Sequence, residues 1–157
     1  VYIYGDADYD WWRNELGREL APGIFGENLT ISGLESATFT IGDILYVGEV
    51  TLQVTAPRIP CKTFSARMED PQFVKKFRTA ERPGLYCRVL KEGKVQAGDL
   101  VRVEKYEEES VTLVDVYRDH YAPNLQESTI RRFLDAPIAI RMRKEKEAQL
   151  KKAIGNK

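Results

Sequence analysis

The stretch TFTIGDILYVGEVTLQVTAP, residues 38–57, constrains the fold more than any other part of the chain. Two β-branched and aromatic runs are separated only by Gly48-Glu49, which reads as a tight hairpin. Val50, Leu52 and Val54 alternate with Thr51, Gln53 and Thr55, so the second run has one apolar face. Pro57 ends it, because proline has no N–H to give a strand ladder. GLYCRVLKEG and KVQAGDLVRVEKY are expected to pair as a second hairpin. Gly42-Asp43 and Gly98-Asp99 each stand directly before an apolar run, and such turns suit entry into strongly bent strands. With VYIY and an extended piece near Glu27 to Ile31, roughly six short strands favour a compact β-barrel over a flat sheet.

Helical periodicity flanks and follows these strands. In DADYDWWRNELGREL, Asp8 can cap a helix carrying Trp11, Trp12, Leu16 and Leu20 on one stripe. DPQFVKKFRTA reads as a short helix with Asp70 as cap and Pro71 at its first position. From Ser110 onward the pattern is helical. Leu113, Val114, Tyr117 and Tyr121 form a stripe, Asn124 and Glu127 mark a second start, and Pro137 opens a third helix. The expected architecture is mainly β with α. A β-barrel over residues 1–106 is followed by a small three-helix unit over residues 110–157 that leans on it, with the acidic EKYEEE as linker. Because VYIY already reads as mid-strand and Val1 is not methionine, a further N-terminal portion of the barrel is expected.

Lysine plus arginine balance aspartate plus glutamate at 24 each, so no global field recruits nucleic acid or membrane. No apolar run approaches the roughly 20 residues of a membrane helix, and no signal peptide is recognisable. Two cysteines are too few for a secreted disulfide framework, which favours two thiols and a cytoplasmic protein.

The segment TAPRIPCKTF carries the candidate chemistry. Pro57 and Pro60 make Arg58 to Lys62 a stiff turn beyond a strand end, since Pro60 restricts Ile59 to extended geometry. Cys61 therefore sits between Arg58 and Lys62, and cationic neighbours favour the thiolate, which is both nucleophile and soft-metal ligand. Those cations could equally hold a phosphate. The residues alone leave open whether Cys61 is reactive or only a small turn residue. Cys87, on a face with Leu85 and Val89, follows the core pattern. His120 is the sole histidine and reads as a structural residue, so histidine-rich metal sites are excluded for this sequence. GIFGENLT has no phosphate-loop lysine and fails the nucleotide fingerprints. The basic tail from Arg141 to Lys157 reads as a solvated helix face.

GIFGENLTISGL, IGDILYVGEVTLQVTAPRIPCKTF and RPGLYCRVLKEGKVQAGD, in that order, resemble the MOSC domain, the family named from the C-terminal domain of molybdenum cofactor sulfurases. The resemblance covers Val1 to Val103. YRDHYAPN and RRFLDAP resemble the three-helix domain that follows the barrel in YiiM-like members. It implies a MOSC-type β-barrel with a pocket for the molybdenum cofactor (Mo-molybdopterin). It further implies that Cys61 is the reactive residue and the molybdenum ligand. N-hydroxylated compounds, including N-hydroxylaminopurines, would be reduced with electrons from a partner reductase. Arg58 and Lys62 would neutralise the pterin phosphate or keep Cys61 ionised, Glu27 and Asn28 would hydrogen-bond the pterin, and Arg88 with Tyr86 would line the cavity or face solvent. The alternative within the resemblance is a non-catalytic cofactor binder or sulfur carrier with a Cys61 persulfide. Pyridoxal phosphate, membrane and nucleic acid are not expected partners. Family members usually carry a glycine-rich, histidine-containing stretch before the VYIY-type strand, which this sequence does not include.

Overall fold

A computed structural model describes residues 1–155; the last two residues of the basic tail and of the expected three-helix unit lie outside the described residues. The chain forms β1 (Tyr2–Gly5), α1 (Asp6–Leu16), β2 (Leu29–Ile31), β3 (Ile44–Val47), β4 (Val50–Pro57), α2 (Lys62–Arg67) and α3 (Phe73–Ala80). It continues through β5 (Leu85–Lys91), β6 (Val101–Glu104), α4 (Leu113–Tyr121), α5 (Glu127–Asp135) and α6 (Ile140–Gly155).

The strands make one sheet in the order β2-β1-β5-β4-β3-β6. It curls into a half-barrel, so that β2 and the 95–101 stretch leading into β6 line a common cavity of about 640 Å³. The β3–β4 hairpin turns at Gly48-Glu49 as expected, with Val47 opposite Val50 and Gly48 at a φ of 55°. The second hairpin does not form. β5 already has β4 on one side and β1 on the other, so β6 pairs antiparallel with β3 instead. The connecting chain crosses the β3–β4 turn, where Glu49 N donates to Lys94 O at 3.1 Å and Lys94 N to Glu49 Oε2 at 2.9 Å. The two Gly-Asp turns are built alike: Asp43 Oδ2 accepts from Thr40 N at 3.0 Å, and Asp99 Oδ2 from Gln96 N at 2.9 Å.

The period of two along β1 divides the interior into two cores. Ile3 joins Leu45, Leu52, Val54, Leu85 and Cys87, against which Leu113, Val116, Phe133 and Ile138 from α4, α5 and the α5–α6 link pack. Tyr2 and Tyr4 face the other way, into an aromatic cluster of Tyr9, Trp12, Phe25, Phe64, Phe73 and Phe77 that binds α1, α2 and α3 to the sheet. The helical C-terminal region thus shares a core with the strands. No described helix is long and apolar enough to cross a membrane.

Several helix starts differ from the sequence reading. Asp8 does not cap α1, which begins after Gly5; it is buried and pairs with Arg82 Nη1 at 2.9 Å while accepting from Ser36 N at 2.9 Å. Asp70 organises the turn before α3, accepting from Gln72 N at 2.8 Å, so the helix proper starts at Phe73. Asn124 likewise serves Gln126 N at 3.0 Å, ahead of α5. Val89 does not share the burial of Leu85 and Cys87, being exposed near the open end of the sheet.

Gly5 joins β1 to α1 where a Cβ would stand 1.8 Å from the Leu34 carbonyl oxygen. That neighbour is backbone and cannot swing away. Gly5→Ala should therefore lower stability by about 1–3 kcal/mol or more, read as a lower urea midpoint at an unchanged slope.

Candidate functional site around Cys61

Pro57 closes β4 on the same edge of the fold where β1 brings Tyr2. The chain then runs through Arg58, Ile59 and Pro60 to Cys61, the residue that caps α2. The sequence reading did not anticipate α2, because KTFSAR is short and begins with no strong capping residue. What fixes it is Phe64, buried in the aromatic cluster against Phe25, Phe73 and Phe77. With Phe64 anchored inward, Cys61 is left exposed on the opposite side of the turn.

The Cys61 thiol is held below the ordinary thiol range. The main cause is the backbone N–H of Phe64, then the Thr63 hydroxyl and the Thr63 N–H, with the Arg58 charge as the smallest contribution. Slight burial opposes them. Helix-start donors stabilise a thiolate because they point partial positive charge at the sulfur. The cationic explanation drawn from Arg58 and Lys62 is thus only partly right: Arg58 contributes weakly and Lys62 is not among the causes. Cys87 is the opposite case, with burial pushing its thiol up to about 12. Iodoacetamide at neutral pH should accordingly add one label per native chain, at Cys61, as counted by intact mass. The labelling rate should reach half its maximum below the ordinary thiol pKa of about 8.5, and Thr63→Val should raise that midpoint.

Arg58 is the second member of the site. Its guanidinium carbon lies 4.3 Å from the Phe64 ring centroid and 5.0 Å from that of Tyr2, a cation held between two aromatic faces. It has no carboxylate partner among the described residues. Gly26 is its other neighbour: a Cβ there would meet Arg58 Nη1 at 3.4 Å. Tyr86 packs at a tilt against Tyr2, with centroids 4.9 Å apart, and is itself exposed.

Glu27 and Asn28 come to the same corner beside Tyr2, in largely structural roles. Asn28 imitates a strand partner, its Oδ1 accepting from Tyr2 N at 2.7 Å and its N donating to Tyr2 O at 2.8 Å. Glu27 Oε1 accepts from Tyr9 Oη, from Gly23 N at 2.8 Å and from Thr30 Oγ1 at 3.0 Å, while its Oε2 is enclosed without a partner among the described residues. Lys62 is exposed at the start of α2. Arg88 is not brought to Cys61; it lies opposite Gln53 and donates to the Ile138 carbonyl at 3.2 Å. His120 stands exposed on α4, edge-on to Tyr121. The sequence reading missed Tyr2, Thr63 and Phe64. Thr63 was accessible as a hydroxyl two residues past the cysteine; Tyr2 was not, because its approach to Arg58 depends on sheet pairing.

The arrangement offers a solvent-facing thiol biased toward thiolate, next to a guanidinium with no carboxylate partner among the described residues. Among the described residues no three His, Cys, Asp or Glu side chains gather.

The chain is similar to YflK of Bacillus subtilis (strain 168), 31% identical over 134 residues covering 85% of this chain and 61% of YflK. It is 34% identical over 105 residues to a protein named Reductase from Gibberella moniliformis, covering 64% of this chain and 19% of that one. The chain therefore spans less than two thirds of the length of these relatives. Among solved structures, YiiM from Geobacillus stearothermophilus superposes with a TM-score of 0.86 at 24% identity, over 96% of this chain and 77% of that one. The pattern of the MOSC domain matches residues 1–102. This chain belongs to the MOSC domain family.

Proposed function

We propose that the chain holds a molybdenum cofactor at the Cys61 face and takes part in reducing N-hydroxylated compounds such as N-hydroxylaminopurines, with electrons from a separate reductase. The observation that carries this reading is the exposed Cys61 thiol biased toward thiolate beside Arg58, which has no carboxylate partner among the described residues. The donor chemistry suits the group: a thiolate is a soft ligand, and a guanidinium fits a phosphate. Cys61 would hold the metal and Arg58 the pterin phosphate, with Lys62 adding positive charge at the same surface. The enclosed Glu27 Oε2 and the Asn28 side-chain amide nitrogen would meet polar edges of the pterin. When bound, the cofactor supplies the electron pair that, with two protons, converts an N–OH group to N–H and water. The chain's own part is to grip and orient. α2 biases the thiol toward thiolate, while Phe64 and Tyr2 fix the guanidinium. Membership of the MOSC family and the likeness to a protein named Reductase support an oxidoreductase reading. Cofactor-loaded protein supplied with reduced methyl viologen should convert 6-hydroxylaminopurine to adenine; absence of turnover in demonstrably loaded protein would reject the reading.

A second reading rests on the same exposure. A solvent-facing thiolate is also a nucleophile, and could carry a persulfide to or from a bound cofactor. Intact-mass detection of a persulfide on Cys61, without turnover of any N-hydroxylated substrate, would favour it.

A further inference from the structure

Away from Cys61, α1 and α3 enclose a surface groove of about 430 Å³ lined by Trp11, Trp12, Glu15, Lys75, Thr79 and Ala80, with Gln72 and Lys76 at its rim. Trp12 is fully buried and forms its floor. Trp11 stands edge-on to it at 4.9 Å, partly exposed, with the Arg82 guanidinium carbon 5.2 Å from its ring. The two walls differ in charge. α3 carries Lys75, Lys76 and Arg78 and no acidic residue, whereas the α1 wall presents Glu15. Lys76 is engaged by Asp70 at 2.8 Å. Glu15 and Lys75 are both exposed and line the same groove, yet neither has an ionic partner among the described residues.

We propose that this groove is one half of a twofold interface between two copies of the chain. In it Trp11 enters the facing groove, and Glu15 of each copy meets Lys75 of the other. Twofold symmetry requires a self-complementary surface, in which residue i touches j while j touches i. A groove with one acidic and one basic wall meets that requirement. A uniformly acidic or basic partner would set like charges against one wall. A partly exposed tryptophan in an apolar groove is the kind of anchor that dominates protein interfaces.

Sedimentation equilibrium of the chain at low salt tests this. The wild type should show a concentration-dependent monomer–dimer equilibrium, and Glu15→Lys or Lys75→Glu alone should weaken it about tenfold. Both positions are exposed, so folding should be unaffected. An equimolar mixture of the two single variants should recover association to within about threefold of wild type, because each supplies the charges the other lacks. A wild type that stays monomeric at every concentration would overturn the proposal. So would single variants that dimerise as tightly as wild type, or a mixture no tighter than either variant alone.

Discussion

Cys61→Ala should reduce turnover of 6-hydroxylaminopurine by cofactor-loaded protein by on the order of a thousandfold, the scale seen when a group that acts at the reacting centre is removed. The thiol is exposed and does not contribute to either core, so the substitution should leave the urea midpoint nearly unchanged. That separation makes the result interpretable as loss of chemistry rather than loss of fold. Cys61→Ser is a useful companion, since it keeps the shape but offers a hard oxygen in place of a soft sulfur, and it should be as inactive as alanine. Arg58→Gln should act differently. It removes the charge but not the thiolate's main support from Phe64 and Thr63, so cofactor affinity should fall more than the pH dependence of Cys61 alkylation shifts.

The largest effect on stability should come from Trp12→Ala. Trp12 is fully buried, donates from Nε1 to Tyr4 Oη at 2.8 Å, and packs against Phe73 at 5.0 Å and Phe77 at 5.9 Å. Removing it opens a cavity where α1, α3 and β1 meet, at an expected cost of about 3–5 kcal/mol. Because Phe64 belongs to the same cluster, α2 should loosen as well, and the low-pKa behaviour of Cys61 should weaken at temperatures where the fold still holds. Trp12→Phe keeps one ring's contacts but loses the second ring and the hydrogen bond to Tyr4 Oη, so a smaller loss of about 1–3 kcal/mol is expected. Urea titrations of the two variants check the order; equal losses would mean that packing is not what Trp12 contributes.

Local features of this fold are legible in the sequence, and pairings between distant segments are not. Gly48-Glu49 declares the β3–β4 hairpin because a two-residue glycine turn specifies its own register. The Gly-Asp turns before β3 and β6 behave alike because each aspartate caps its own turn. GLYCRVLKEG and KVQAGDLVRVEKY look like another hairpin, but whether adjacent strands pair depends on which neighbours β5 already has. Asp8 looks like a cap for the same reason: its true partner, Arg82, is 74 positions away. At the candidate site, the prolines and Cys61 are readable from TAPRIPCKTF. The source of the thiolate's stability is not, since it lies in a six-residue helix held in place by the burial of Phe64. Arg88 shares a motif with Cys87, and only the fold shows that its Nη2 donates to the distant Ile138 carbonyl.

Molybdenum analysis of protein isolated from a cofactor-producing host, wild type beside Cys61→Ala, bears most directly on whether the thiolate is a metal ligand. The proposed role requires molybdenum bound in proportion to the wild-type chain and lost from Cys61→Ala at an unchanged fold. Equal molybdenum in both proteins, or none in a wild type whose Cys61 is free and reactive, would contradict it.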